Sequence, residues 1–193
     1  SKNDFWNEIW KFTNIKGNKK GITFEDNKDF KKSKFFQDSD LNFTENCLIK
    51  NDDSEAIISY LENKTKKICS WKSLREKIFK LAYFLKSKNI NKGDRVAAIL
   101  PNFGETVISF LATAQIGAIW SSCSPDFGKQ AIIDRFKQIE PKILFVTDYY
   151  FYNQKKFDTT LIIPSILEYI PSITDVVIIP YDKIKTENEI KFK

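Results

Sequence analysis

The chain has 193 residues, of which 42% are hydrophobic and 15% aromatic, so it is long and apolar enough to form a hydrophobic core. It contains no histidine, which excludes Ser–His and Cys–His nucleophilic sites and His-rich metal sites formed within these residues. The sequence has no methionine and no recognisable element in residues 189–193, and we interpret it as part of a longer protein.

The net charge of +6 is concentrated in one stretch. Eight lysines and three acidic residues lie in residues 11–34, so this stretch carries five of the six net positive charges. We interpret it as a local, solvated segment and expect no nucleic-acid partner. A nucleic-acid binder that uses this stretch is a weaker alternative hypothesis.

Three cysteines, Cys47, Cys69 and Cys123, are widely spaced and form no C-x-x-C pair, which indicates neither a disulfide framework nor a zinc site. The N-terminus lacks the apolar core of a signal peptide, and the apolar stretch 107–120 is short and interrupted by polar residues. These features predict a cytoplasmic protein with no metal site and no membrane partner.

Residues 4–12 predict an amphipathic helix with Phe5, Ile9 and Phe12 on one face, beside Trp6 and Trp10. We expect this helix to pack on the body of the protein. The Lys-rich segment that follows, up to residue 34, contains glycine and asparagine and is predicted to be irregular.

Residues 56–60 and 67–69 are short β-prone runs that predict a small hairpin. Ser70 can then cap the N-terminus of a helix. The apolar residues of that helix recur on one face, which carries Trp71, Leu74, Ile78, Leu81 and Leu85.

From residue 91 to 181 the pattern alternates between strands and helices. Strands are predicted at 95–100, 118–123, 142–147 and 175–179, and helices at 105–116, from the second strand to Glu140, and at 165–169. Gly117 and Pro141 end the first two helices. Continuously apolar strands separated by helices predict an α/β fold, with a parallel sheet, helices on both faces and right-handed crossovers.

Ligands of open parallel sheets bind in the loops that follow the strands. Residues 121–128 follow the second strand with small hydroxyl side chains and lead into a helix whose first N–H groups can receive a phosphate. Alternatively, Ser124 and Pro125 form only a helix cap. Cys123 is interpreted as a packed residue, because no adjacent group could act as its base.

The loop predicted at residues 148–156 follows the third strand with aromatic rings and two lysines. These groups suit a nucleotide base and its phosphates, although ordinary amphipathic surface is the alternative interpretation. The sequence has no G-x-G-x-x-G motif after a strand and no G-x-x-x-x-G-K-[ST] motif, so dinucleotide-binding and P-loop sites lack their main support.

Several motifs resemble a known family. The segments Lys92-Gly93-Asp94-Arg95-Val96-Ala97, Leu100-Pro101-Asn102, Glu105, Ala112 and Gly117-Ala118 are similar to the N-terminal part of the adenylate-forming acyl-CoA synthetases. Residues 119–128, with 134–136 and 138–142, resemble the members of that family that act on acetoacetate. The resemblance implies an N-terminal helix and Lys-rich segment in residues 1–46, and an incomplete adenylation domain in residues 47–193.

Members of this family join a carboxylic acid to CoA in two steps. ATP converts the acid to an acyl-adenylate with loss of pyrophosphate, and the CoA thiol then displaces AMP. The resemblance therefore implies acetoacetate or a similar short acid as substrate, with ATP, CoA and Mg²⁺ as cofactors. We expect neither a nucleic-acid nor a membrane partner, and the sequence indicates no particular oligomeric state. It also implies that the catalytic groups of the family lie after residue 193, so we assign no catalytic residue here.

The resemblance carries over to a CoA site at six positions, Ser124, Pro125, Asp126, Tyr152, Lys155 and Lys156. Tyr152 stands where a basic residue is frequent in relatives, and Gln154 where glycine is common. A different hypothesis is a self-sufficient nucleotide-binding or CoA-binding α/β module without catalysis.

Overall fold

The computed structural model describes residues 1–182 and divides the chain into two compact units, Ser1–Ile49 and Lys50–Lys193. The division predicted from the sequence, into residues 1–46 packed on a domain at 47–193, stays a prediction. Residues 183–193, which include the five C-terminal residues with no predicted element, lie outside the described part of the chain.

Helix α1, Lys2–Phe12, opens the first unit. Ser1 and Asp4 form a capping box, in which the Asp4 N–H donates to Ser1 Oγ at 3.2 Å. The predicted packing face, centred on Phe5, Ile9 and Phe12, is wrong. Phe5 and Phe12 are 58% and 89% exposed, whereas Trp10 is buried. The larger indole rings at i and i+4 pack instead, Trp6 on Phe35 and Trp10 on Phe36, because they bury more area.

The Lys-rich segment is more ordered than predicted. It forms two short antiparallel ladders, and the unit ends in a helix whose N-terminus Asn42 caps. The elements are β1 (Gly17–Asn18), β2 (Phe24–Glu25), β3 (Lys34–Phe35), β4 (Asp40–Leu41) and α2 (Phe43–Cys47), with β1 paired to β4 and β2 to β3. Ion pairs balance part of the charge, including Lys20 with Asp40 at 3.0 Å and Lys34 with Glu25 at 3.6 Å.

The second unit begins with the predicted hairpin, formed by β5 (Glu55–Tyr60) and β6 (Lys66–Ser70). Helix α3, Trp71–Ser87, follows directly. Its predicted cap is confirmed, because the Ser73 N–H donates to Ser70 Oγ at 3.2 Å. The helix buries Leu74, Ile78, Ala82 and Leu85.

The remaining elements confirm the predicted α/β fold. They are β7 (Arg95–Ile99), α4 (Gly104–Gln115), β8 (Ile119–Cys123), α5 (Lys129–Lys137), β9 (Ile143–Thr147), β10 (Tyr149–Tyr152), β11 (Lys155–Asp158), α6 (Ile163–Tyr169) and β12 (Asp175–Ile179). Strands β12, β9, β7 and β8 form, in that order, one parallel sheet. Within residues 1–182, no helix is both long and apolar enough to cross a membrane.

Helices cover both faces of this sheet. One face carries Leu144 and Val146 in a core shared with α5 and α6. The opposite face carries Phe145, whose ring meets Trp120 of β8, and Trp120 in turn meets Phe110 of α4. Since the chain runs from β7 outward to β8 and then back past β7 to β9, right-handed crossovers require α4 and α5 to lie on opposite faces, as observed.

The Lys92–Arg95 motif lies at the amino end of the sheet. The Asn91 N–H donates to Asp94 Oδ2 at 2.8 Å, and Lys142 Nζ lies 2.8 Å from Asp94 Oδ1. Arg95 donates from Nε to the Ile139 carbonyl at 2.6 Å. These bonds join the start of β7 to the start of β9, so the motif stabilises the sheet at the end opposite to the segments that follow the strands.

The Asp94–Lys142 pair predicts a pH-dependent stability. The hydrogen bond from Lys142 lowers the pKa of Asp94, so the pair stabilises the fold above the ordinary carboxyl pKa and is lost as pH falls through the lowered value. Asp94→Asn should cost about 1 kcal/mol at neutral pH, and less at pH 3. Thermal unfolding checks this against Asp53→Asn at an exposed position, and an equal loss at both pH values would contradict it.

Gly117 combines a left-handed backbone with a close neighbour. Its φ is +75°, and a Cβ there would lie 3.1 Å from Lys92 Cγ, whereas Gly93 has φ +87° and open space around it. Gly93→Ala should therefore lose about 1 to 2 kcal/mol from backbone strain alone, and Gly117→Ala should lose more. Parallel thermal unfolding of the two variants measures the difference, and a smaller loss for Gly117→Ala would refute the contact.

Candidate functional site

Two segments lie at the carboxyl end of the sheet, on either side of β7. The first follows β8 and contains Ser124, Pro125 and Asp126, and the second follows β9. This is the point where the strand order reverses direction, which is where open parallel sheets form a crevice for ligands.

The segment after β9 is a β-hairpin and not the loop that we predicted. Strands β10 and β11 pair antiparallel, with Tyr152 opposite Lys155. Asn153 and Gln154 make the turn with φ values of +48° and +63°, the left-handed pair that a tight two-residue hairpin needs. Asparagine tolerates this conformation, and the aromatic run at 149–152 favours a strand.

The hairpin separates the two predicted lysines. Side chains alternate along a strand, so Lys155 and Lys156 project to opposite faces. We call these the Tyr152 face and the Tyr149 face. The Tyr152 face carries Tyr150, Tyr152, Lys155 and Phe157, and the Tyr149 face carries Tyr149, Phe151, Lys156 and Asp158.

The Tyr149 face packs inward. The rings of Tyr149 and Phe151 lie 5.5 and 5.7 Å from the ring of buried Tyr181. The Tyr149 hydroxyl donates to the Asp182 carboxylate, and burial followed by this bond raises the pKa of Tyr149. Lys156 Nζ lies 3.6 Å from the centre of the Tyr149 ring, so its charge is already engaged within the protein.

The Tyr152 face is the accessible one. Tyr152 is 61% exposed beside Lys155, and the rings of Tyr150 and Phe157 stack 5.3 Å apart next to them. Burial raises the pKa of Tyr150, and the charge of Asp126 raises it further. Of the six predicted residues, the structure thus brings Tyr152 and Lys155 together on this face, and Asp126 acts on their neighbour Tyr150.

The segment after β8 differs from a simple helix cap. Helix α5 begins at Lys129 with Gly128 as its cap and with no side-chain bond, so the interpretation of Ser124 as the cap is wrong. Ser124 is exposed and instead accepts the Phe127 N–H at its carbonyl, at 3.2 Å, while Pro125 is buried. The hydroxyl of Ser124 is thus not committed to capping α5.

Arg135 has a partner that sequence analysis missed. Its guanidinium carbon lies 4.8 Å from the centre of the Phe127 ring, which anchors the segment after β8 on helix α5. The eight-residue spacing spans a turn and a helix start, so no periodic pattern indicates the contact.

Cys123 is the packed residue that we predicted. It is 6% exposed within the core shared by α5 and α6, and burial raises the pKa of its thiol to about 11. The thiol is therefore protonated at neutral pH, and it is a poor nucleophile.

Charged groups behind the hairpin hold the end of β12. Lys67 Nζ donates to the Tyr181 carbonyl at 2.7 Å and lies 3.5 Å from Glu105 Oε1. Asp148 Oδ1 accepts the N–H groups of Tyr149 and Tyr181, at 2.8 and 2.9 Å. Neither set of bonds followed from the sequence pattern, because the partners are far apart in the chain or belong to a segment that we predicted as a loop.

Among residues 1–182, no group of three or more Cys, Asp or Glu side chains is placed to hold a metal ion. We therefore assign none of these residues as a ligand of the Mg²⁺ that the resemblance implies.

Comparison with known proteins identifies the family. A family model described as AMP-binding enzyme matches residues 44–193, more than half of the chain. The chain belongs to the AMP-binding enzyme family. Similar proteins include acetoacetyl-coenzyme A synthetase of Rhizobium meliloti, 40% identical over 92% of this chain, and acetoacetyl-CoA synthetase of Gallus gallus, 36% identical over 92%.

A solved structure agrees with this AMP-binding assignment. Acetoacetyl-CoA synthetase from Streptomyces lividans superposes with a TM-score of 0.87 over 96% of this chain, at 28% sequence identity. The chain spans about 27% of the length of the two curated relatives and 29% of the solved one. The resemblance inferred from the Lys92–Ala97 and Ile119–Gly128 segments is thereby confirmed.

The turn at the hairpin tip gives a testable consequence of this geometry. Gln154 adopts φ +63°, which costs a residue with a side chain about 1 kcal/mol or more. Gln154→Gly should relieve this strain and stabilise the hairpin, whereas Gln154→Ala should not. Slower trypsin cleavage after Lys155 in the glycine variant alone would confirm the prediction, and equal cleavage rates in both variants would contradict it.

Proposed function

We propose that this chain is part of an ATP-dependent enzyme that joins acetoacetate, or a similar short acid, to CoA, and that the carboxyl end of its sheet contributes to the CoA site. The observation that carries the proposal is the exposed Tyr152 face, where an aromatic ring and a free ammonium group lie side by side at the switch point of the sheet. The names of the similar proteins support acetoacetate as the acid.

In the proposed reaction, the residues described here take part only in the second step. ATP activates the acid as an acyl-adenylate and releases pyrophosphate, after which the CoA thiol attacks the acyl carbon and AMP leaves. The residues described here bind and orient CoA in the second step. We assign no catalytic group to residues 1–182, and Mg²⁺ would accompany ATP elsewhere in the enzyme.

Each proposed CoA contact follows from the chemistry of its side chain. The Lys155 ammonium pairs with a phosphate of the nucleotide, and the Tyr152 ring stacks on adenine. Ser124 offers a free hydroxyl, and buried Pro125 fixes the turn that presents it. Contacts of this exposed kind contribute roughly 0.5 to 1.5 kcal/mol each.

Asp126 sets the direction of the nucleotide. A carboxylate repels phosphate, so the phosphate belongs at Lys155, and Asp126 accepts hydrogen bonds from the amino or hydroxyl donors of the nucleoside. Lys156 lies on the opposite face of the hairpin, and we keep it in the proposed site because its positive charge still attracts the phosphate over a longer distance. Its contribution is smaller than that of Lys155, because its ammonium group lies on the Tyr149 ring.

We also propose a cytoplasmic enzyme whose partners are small molecules. Cys47, Cys69 and Cys123 are free thiols, which fits a reducing compartment.

Charge reversal tests the CoA site in the complete enzyme. Lys155→Glu with Lys156→Glu should raise the KM for CoA about tenfold and leave ATP–pyrophosphate exchange nearly intact, because only the second step uses CoA. Lys155→Glu alone should give most of the effect. The matched control is Lys137→Glu, which reverses an exposed charge at the far end of α5. Equal loss of both half-reactions would refute the proposed role.

A further inference from the structure

The turn between β5 and β6 contacts the tip of the β10–β11 hairpin, although 92 residues separate the two in sequence. The Gln154 N–H donates to Glu62 Oε1 at 2.9 Å. On its other side, the Glu62 N–H donates to the Tyr181 hydroxyl at 3.3 Å. Glu62 thus links the hairpin tip to the segment that follows β12.

We propose that Glu62 is a positioning residue for CoA, which holds the hairpin tip so that Lys155 and Tyr152 keep one orientation on the Tyr152 face. This inference rests on the proposed function and adds to it a residue outside the hairpin. The Glu62 carboxylate accepts the N–H of Gln154, the residue directly before Lys155. Loss of this acceptor therefore affects the backbone next to the proposed CoA contact.

An isolated two-stranded hairpin is at best marginally stable, so its geometry depends on what it packs against. The base of this hairpin has its own anchors. Tyr149 donates to Asp182 through its hydroxyl and to Asp148 Oδ1 through its N–H, and its ring packs on Tyr181. At the tip, by contrast, the side chains of Tyr152, Lys155 and Lys156 are exposed.

The two ends of the hairpin therefore respond differently to a substitution at Glu62. The base keeps its anchors, so the fold and the aromatic packing around Tyr181 remain. The tip loses a backbone hydrogen bond and becomes more flexible. CoA binding must then order Lys155, which costs conformational entropy. The cost then falls on CoA binding, and the adenylation step is untouched.

Glu62 also carries a negative charge near the proposed phosphate position, and the two effects have opposite signs. Loss of the hydrogen bond weakens CoA binding, whereas loss of the charge alone removes a repulsion. Glu62→Gln keeps an oxygen that can accept the Gln154 N–H and removes the charge. It therefore separates the hydrogen bond from the electrostatic effect.

The experiment compares Glu62→Ala and Glu62→Gln in the complete enzyme, with Glu168→Ala as a matched control at an exposed glutamate on α6. Glu62→Ala should raise the KM for CoA about three- to tenfold, with ATP–pyrophosphate exchange unchanged. Glu62→Gln should keep the KM at or below that of the unmodified enzyme. Trypsin cleavage after Lys155 should be faster in Glu62→Ala only.

An unchanged KM for CoA in Glu62→Ala would overturn the inference, and so would an equal rise in Glu62→Gln. Equal loss of both half-reactions in Glu62→Ala would show that Glu62 has only a structural role, and this result would also overturn the inference. The variant Lys155→Glu separates this failure from that of the proposed function. If Lys155→Glu raises the KM and Glu62→Ala does not, only the positioning role fails, and if neither does, the CoA site itself is wrong.

Discussion

Strand β7 lies between the two strands that follow it in sequence, and this placement determines where the candidate site forms. The chain leaves β7 towards β8, reverses, and crosses back to β9. With right-handed crossovers, the reversal places α4 and α5 on opposite faces of the sheet. The segment after β8 and the hairpin after β9 therefore both follow strands that neighbour β7, at the carboxyl end of the sheet, although neither carries a recognised phosphate-binding motif.

The Lys92–Arg95 motif and the residues that we propose for the CoA site occupy opposite ends of the sheet. Asp94 and Arg95 bond to Lys142 and to the Ile139 carbonyl at the amino end, where they fix the spacing of β7 and β9. Ser124, Asp126 and Lys155 lie beyond the carboxyl ends. The Lys92–Arg95 motif thus stabilises the scaffold and does not itself mark the ligand site.

Sequence patterns predicted the features that depend on near neighbours. The four parallel strands, the Ser70 cap and the end of α4 at Gly117 all follow from local periodicity and backbone preference. The hairpin at 149–158 was missed because its turn uses Asn153 and Gln154 in place of a glycine. The contact of Glu62 with Gln154 spans 92 residues, and no local signal carries it. The wrong face of α1 has the same origin, since the partners of its indole rings, Phe35 and Phe36, lie more than twenty residues away.

Lys155 and Lys156 are adjacent in sequence, but the strand places their charges on opposite faces of the hairpin. In sequence the two lysines look like one basic patch, but a strand sends adjacent side chains to opposite faces. Lys156 lies on the Tyr149 ring, which is neutral at neutral pH like any tyrosine, and burial and the bond to Asp182 raise the pKa of its hydroxyl further. A neutral ring keeps its attraction for a cation without becoming a competing anion. The Tyr149 face thereby holds the hairpin against the domain, and the Tyr152 face stays exposed.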